Sequence, residues 1–338
     1  MNRTQIKLAI TEDKIHNEYE LIDAVTDPRP GSLEILIDEG PDLSVIKLFD
    51  KSFIESLHML ADNLGIPKKI IKITTYNLVQ DQSVWPNIEI QHPVEYFTSA
   101  DRFEVALDKD INKHFGLFVG TSRWHRMYLA SVMHGLHKDK TLMSFWQHHL
   151  NNNLPANLHI DNVLLKDANK SVRDHITNFV KNLPLHLDPK DIELNYNKGA
   201  DVSRGDWETP YEILTYYNSI FMDVVCETWH EGQCFLPNEK TGRPIIARTP
   251  FIAYAGKDFL KNLKKLGFKT FDRWWSEEYD NHEGVQRIQY MLKEIKAISV
   301  YPVDRLNEIQ QEMMPVLEHN YQTIKALTPE TMMQKLKQ

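Results

Sequence analysis

Apolar and polar positions follow strand-like and helix-like spacings along much of the chain, and the clearest succession runs from Tyr216 to Asp280. Phe221 to Cys226 reads as a strand, with Glu227 at its carboxyl end. A polar loop leads to Asn238-Glu239-Lys240, which has the form of an N-cap followed by a first helical turn. Phe251 to Tyr254 is a second apolar run. Gly256 then opens a helix that carries Phe259, Leu260, Leu263 and Leu266 on one face, with Gly267 as its C-cap. Strand, loop, helix start, strand, turn and helix outline a nucleotide-binding half-domain.

Upstream, residues 1–26 are mostly polar and carry no assignable pattern. Asp27 to Gly31 (DPRPG) is a turn, and Ser32 to Asp38 is a strand whose tip bears Asp38 and Glu39 before Gly40-Pro41. Phe53, Ile54, Leu57, Leu60 and Leu64 have helical spacing, and Ile70 to Tyr76 is a β-branched strand. Strand, helix and strand within about 45 residues predict a parallel βαβ unit, placing a first domain at 1–110. Gln80 to Asp110 adds no clear element.

A second domain, 111–300, begins with a strand at Phe115 to Val119, a turn at Gly120 to Ser122, a helix at Arg123 to Leu136 and a strand at Leu142 to Trp146. From Gln147 to Pro210 the pattern weakens to the Asn151–Asn153 run, loops around Pro184, Pro189 and Gly205, and one amphipathic helix on Val172, Ile176, Phe179 and Val180. That stretch reads as an excursion within the second domain. Helices follow near 283–297, 304–326 and 328–337, so that 301–338 forms a helical C-terminal segment. Pro315 is expected to kink or split the middle helix. The fold class is therefore α/β with C-terminal helices.

Composition narrows the picture modestly. The 338 residues suffice for two ordinary domains, and the 42% hydrophobic and 25% charged fractions are those of a globular protein. No apolar run approaches the roughly 18 residues that span a bilayer, and the N-terminus lacks an apolar leader core, which sets the expectation of a cytoplasmic protein with no membrane span. Cys226 and Cys234 fit buried small hydrophobes better than a disulfide or a zinc site. The formal net charge of −8 disfavours nucleic-acid binding by bulk charge. It leaves room for local basic faces at Lys257, Lys261, Lys264, Lys265, Lys269 and Arg273, and at Lys68, Lys69 and Lys72, which the plainer reading makes solvated surface.

In open α/β sheets, ligands lie beyond the carboxyl ends of the strands. Arg123 and Arg126, Glu227, and the Glu239-Lys240 helix start all fall at such ends. Free amides at a helix start with a lysine suit a diphosphate, an arginine fork can clamp the same group, and a carboxylate can accept from ribose hydroxyls. His134, His137, His148 and His149 have possible ligand spacings but read as ordinary helix or surface residues, so no metal site is assigned. Trp274-Trp275 fits either stacking on a ligand or packing.

The order FGLFV…SRWHR, FMDVVCET, FLPNEKTGRP, TPFIAYAG and LKKLGF resembles the donor-binding domain of fucosyltransferase-type glycosyltransferases of the GT-B fold. It is similar also to glycosyltransferase-like proteins of phages and bacteria, on Gly267-Phe268-Lys269-Thr270-Phe271 and Tyr279-Asp280. The resemblance covers about 114–146 and 216–280, under half of the chain. It implies two Rossmann-like domains facing across a cleft, and transfer of a sugar from a nucleotide-diphosphate donor to an acceptor hydroxyl without a metal or other cofactor. Arg126 and Lys240 would neutralise the diphosphate, Glu239 would bind the ribose, and Glu227 matches the family's strand-end Glu. Asn238 stands where the family has Thr, and both cap well. Pro244 cannot donate to the Lys240 carbonyl, so a short or kinked helix is expected. Such a reaction needs preorganised cations at the leaving diphosphate and, if inverting, a general base from the first domain. Asp38 and Glu39 are the candidates, then His92 and Glu95, although a carboxylate pair before Gly-Pro also makes a plain turn.

The acceptor is either a surface glycan, which suits the fucosyltransferase resemblance, or a hydroxymethylated base in phage DNA. The phage-like resemblance and the lysine cluster suit the latter, and the host cytoplasm would then be the location. The competing readings are a non-catalytic nucleotide- or glycan-binding protein on the same fold, and a sugar-phosphate enzyme in which the Glu-Lys helix start is incidental.

Overall fold

The computed structural model describes residues 2–8, 10–11, 14–15, 18–26, 31–37, 70–75, 77–79, 89–91, 109–120, 122–145, 169–185 and 216–337, together with a few isolated positions. The helix expected at Phe53 to Leu64 falls outside them apart from scattered residues, as do Asp38, Glu39, His92, Glu95, His148 and His149.

In chain order the first part holds β1 (Asn2–Leu8), the antiparallel pair β2 (Ile10–Thr11) and β3 (Lys14–Ile15), α1 (Glu18–Thr26), β4 (Gly31–Ile37), β5 (Ile70–Thr75) and β6 (Glu89–Gln91). Strands β1, β4, β5 and β6 form a parallel sheet in that order. The expected pairing of the Ser32 and Ile70 strands is met, with Ser32 opposite Ile70. Strand β1 was not apparent from its residues, NRTQIKL, because a strand at a sheet edge tolerates polar side chains. It is defined by its seven-residue register with β4.

The second part holds β7 (Lys113–Val119), α2 (Trp124–His137), β8 (Thr141–Phe145), α3 (Lys170–Val180), β9 (Ile220–Cys226), α4 (Glu239–Ile246), β10 (Phe251–Tyr254) and α5 (Phe259–Leu266). Its strands form a second four-stranded parallel sheet, in the order β10-β9-β7-β8. The chain moves from β7 outward to β8, then returns to the other side of β7 for β9. In sheets of this kind such a reversal sets a ligand crevice beyond the carboxyl ends of the flanking strands, here β7 and β9. All seven residues of β9 are buried, as a central parallel strand requires. Its one charged residue, Asp223, accepts a 2.6 Å hydrogen bond from the Tyr217 hydroxyl.

Three helices complete the chain: α6 (Gly284–Ser299), α7 (Val303–Ala326) and α8 (Pro329–Leu336). Leu306, Ile309, Met313, Leu317 and Ile324 recur at three-, four- and seven-residue steps and bury one face of α7 in the main core. Pro315 does not split α7, which runs as one helix. Pro315 and Gln311 are both exposed, so water can reach the Gln311 carbonyl that the proline leaves without a donor. Helix α5 begins at Phe259 rather than at Gly256, with Asp258 in the left-handed region at φ 62°. Gly256 answers a different constraint: a Cβ there would lie 2.2 Å from the Cys234 carbonyl oxygen. Gly267 ends α5 at φ 101° as expected. No helix among the described residues is long and apolar enough to cross a membrane.

Two buried side chains set the position of the loops around the crevice. Just beyond β5, the Asn77 side-chain amide donates to Gln233 O (3.2 Å), and its Oδ1 accepts from Phe235 N (3.0 Å). Leu78 N donates to Phe235 O at 3.0 Å, so the loop between β9 and α4 is stitched to the end of the first sheet. Behind β10, Arg287 is fully buried. It donates to Ala253 O, Gly256 O and His282 O and pairs with Asp280 Oδ1 at 2.9 Å. The other Asp280 oxygen accepts from Leu260 N at 2.9 Å, capping α5. Asp280→Ala would leave a buried guanidinium without its counter-charge and α5 without its cap, and should cost about 3–5 kcal/mol, read as a lower midpoint in urea denaturation. Asp280→Asn, which keeps an acceptor for the cap, should lose less.

Candidate functional site

The crevice is lined by groups that the sequence spreads over more than a hundred residues. At the end of β7 the chain turns through Gly120 into Arg123, which sits in extended conformation (φ −141°) as the N-cap of α2. Its Nη1 donates to Thr228 O at 3.2 Å, and its guanidinium lies over the Trp229 ring, 5.3 Å from the centroid. Arg126 follows in the first turn of α2 and is only 3% exposed. Its Nη2 donates to Cys226 O (3.2 Å) and to the Thr228 hydroxyl (3.3 Å). Burial and the neighbouring Arg123 pull its pKa down to about 10, against the attraction of Glu227 and Glu239. Arg126 is a strut beneath the crevice floor, and Arg123 is the more accessible of the two cations.

Glu227 is 1% exposed and joins four elements. Its backbone N–H donates to Tyr254 O of β10 (2.9 Å), and its carbonyl accepts from His125 Nε2 of α2 (3.2 Å). Its Oε1 accepts from the Thr241 hydroxyl of α4 at 2.5 Å. Burial raises the carboxyl pKa, and Lys240 and the Thr241 hydrogen bond offset part of that rise.

Helix α4 starts as the sequence predicts. The Asn238 side chain accepts from Lys240 N at 2.9 Å, and Pro244 lies within a helix of eight residues. Lys240 Nζ and Glu239 Oε1 are 2.5 Å apart at the mouth, with side chains 16% and 20% exposed. Burial opposes ionisation of Glu239, yet Lys240 and Arg243 beside it hold its pKa below the usual carboxylate range. Arg243 follows Glu239 by four residues on the same helix face. Its Nε is buried without a hydrogen-bond partner, beside the Tyr217 hydroxyl and the carboxyl groups of Glu239, Asp223 and Glu227. Burial lifts the Asp223 pKa to about 6 despite the Tyr217 hydroxyl and Arg243. Sequence reasoning missed Arg243, Asp223 and Tyr217. Only Arg243 carried a signal, its i,i+4 spacing from Glu239.

Beneath the two arginines lies a second layer also missed. The His125 ring stacks on Tyr254 (4.8 Å, 13°) and meets His230 at 4.0 Å. Burial first, then His230, Arg126 and Arg123, drive the His125 pKa well below its ordinary value. Burial, Arg123, Arg126 and Arg287 bring His230 to about 3. Both imidazoles are neutral and extend the packed base on which the cations rest.

The remaining candidates have structural employment. His134 packs edge-on against Phe179 (5.3 Å) and His137 against Phe115 (6.1 Å). Cys226 and Cys234 are buried free thiols, as expected. Trp275 is buried against Phe271 at 5.2 Å, so the Trp274-Trp275 pair serves packing. In the lysine cluster, Lys264 pairs with Asp272 (3.0 Å) and Glu277 (3.3 Å), and Lys261 with Asp258 (3.7 Å). Glu277 also accepts from the Thr270 hydroxyl (2.8 Å) and Phe271 N (2.7 Å), which accounts for the Gly-Phe-Lys-Thr-Phe turn as a brace.

These groups cluster at the switch point of an α/β parallel sheet, and Arg123, Glu239 and Lys240 are the more accessible among them. Comparison with known protein families finds no family model that matches the chain, and comparison with curated proteins finds no matching sequence.

The histidine layer has a sign that can be tested. A His230 pKa depressed from 6.5 to about 3 means that the unfolded chain takes up a proton first as pH falls. Stability is then fully present above pH 6.5 and is lost progressively as pH falls toward 3. His230→Phe should remove this loss and gain on the wild type by about 2 kcal/mol between pH 8 and pH 5, as read from urea midpoints at the two pH values.

Proposed function

We propose that the protein is a nucleotide-sugar-dependent glycosyltransferase with two Rossmann-like domains of the GT-B type, and that the second sheet binds the donor. The observation that carries this reading is the convergence at one switch point of Arg123, Arg126, Glu227 and the capped Glu239-Lys240 helix start. The resemblance to fucosyltransferase-type donor domains concerns the same residues. The Asn77 stitch supports a second domain whose strand ends approach the β9–α4 loop.

Helix α4 offers its first amides and the Lys240 ammonium to the diphosphate, where its dipole adds to the attraction. Glu239 turns from Lys240 to the ribose hydroxyls as a phosphate takes its place on the lysine. Arg123 is the second cation at the phosphates. Arg126 acts from behind, through its field and through its grip on Thr228. As the sugar–phosphate bond breaks, charge grows on the departing diphosphate, and these fixed cations stabilise it with little reorganisation. Glu227, buried and bonded to Thr241, keeps α4 seated against the sheet and need not touch the donor. Asp38 or Glu39, which follow β4 in the sequence, would supply the base for an inverting transfer. The acceptor is a surface glycan or a hydroxymethylated base in phage DNA.

Nucleoside diphosphates should raise the melting temperature, with a gain near 2.7 kcal/mol at a hundredfold excess over Kd. Lys240→Ala should abolish that gain and Arg123→Ala should reduce it. If every nucleoside diphosphate leaves the wild type unshifted, or if Lys240→Ala keeps the full shift, the donor assignment is wrong. Incubation with nucleotide sugars and either glycans or hydroxymethylated DNA, followed by mass, then reports which acceptor gains the sugar.

A further inference from the structure

Among the described residues at the carboxyl end of β9, Trp229 has no part in binding ribose or phosphate. It follows Glu227 and Thr228 directly, at the carboxyl end of β9. Its neighbours Trp124, His125, His230 and Tyr254 are buried, whereas Trp229 is half-buried. An indole N–H ordinarily finds an acceptor when its ring is packed. That of Trp229 has none among the described residues and is not sealed from solvent, whereas the unpaired N–H of Trp274 is buried.

The ring is nevertheless held in place. Arg123 lies over it and donates to the carbonyl of the preceding residue, while Arg126 donates to that residue's hydroxyl. Farther along the loop, Lys257 N donates to Gly232 O (2.9 Å), and Asn77 fixes Phe235. An aromatic plane with a cation over it and an unsatisfied donor, restrained on both sides, has the attributes of a stacking platform.

We propose that Trp229 is the platform for the heterocyclic base of the donor nucleotide, with its indole N–H free to donate to a ring carbonyl. This rests on the donor-site reading of the same crevice. Trp229 would then hold the base, Glu239 the ribose, and Lys240 and Arg123 the diphosphate. Stacking is tolerant of base identity, so the platform confers affinity for nucleotides over bare phosphates and leaves the choice among bases to edge contacts.

Calorimetric titration of the full-length protein with inorganic pyrophosphate, UDP and GDP separates the two layers of inference. In Trp229→Ala the Kd for a nucleoside diphosphate should weaken about tenfold, while that for pyrophosphate stays as in the wild type. Trp229→Phe, which keeps an aromatic face, should retain most of the affinity, and its circular dichroism melt guards against a folding defect. Quenching of indole fluorescence by nucleotide should vanish in both variants. If Trp229→Ala binds nucleoside diphosphates as tightly as the wild type, or if Trp229→Phe loses as much as Trp229→Ala, the platform is refuted while the donor site stands. If the wild type binds neither pyrophosphate nor any nucleoside diphosphate, the donor site fails and the platform with it.

Discussion

A carboxylate taken almost wholly out of water must be held by its surroundings, and the architecture around the crevice follows from how Glu227 is held. Its side chain is tied to α4 through Thr241, its carbonyl to α2 through His125 and its amide to β10 through Tyr254. One residue at the tip of a central strand thereby fixes the elements that carry Arg123, Arg126, Glu239 and Lys240. Lys240 in turn makes the buried carboxylate tolerable, because its charge offsets part of the desolvation that raises the Glu227 pKa. Floor and mouth are thus electrically coupled, and a change at either is felt at the other.

A second buried charge performs the same service one strand away. Arg287 cannot shed its proton, so its burial demands acceptors on every side, which it finds on β10, on the loop after it and on Asp280. Asp280 spends its remaining oxygen on the start of α5. Tyr279-Asp280 and the Gly267-to-Phe271 turn are braces of this kind, centred on Arg287 and Glu277.

The two arginines of α2 illustrate how far a pattern carries. Arg123 and Arg126 read alike in sequence, each a cation at a strand–helix turn. Three residues of helix rotate them to different depths, and Arg126 finds Cys226 and Thr228, a hundred or more positions later, as its partners. Trp229 and Trp275 divide in the same way, one left at the mouth beside Arg123 and the other packed on Phe271. Nothing in the neighbouring residues distinguishes such pairs.

The sequence alone determined the strands around Phe115, Phe221 and Phe251, the pairing of the Ser32 and Ile70 strands, the amphipathic helices α3, α5 and α7, the Asn238 cap and the Gly267 stop. Each is governed by spacing or backbone preference within a few residues. Tertiary structure decided the rest: that polar NRTQIKL pairs as an edge strand, that α7 runs through Pro315, and that Tyr217, Asp223, His125 and His230 lie buried, with Arg243 half-buried among them. Those outcomes depend on which distant groups meet and on how much water remains between them. Local periodicity records which face of an element is apolar, but not which charge will be buried against it.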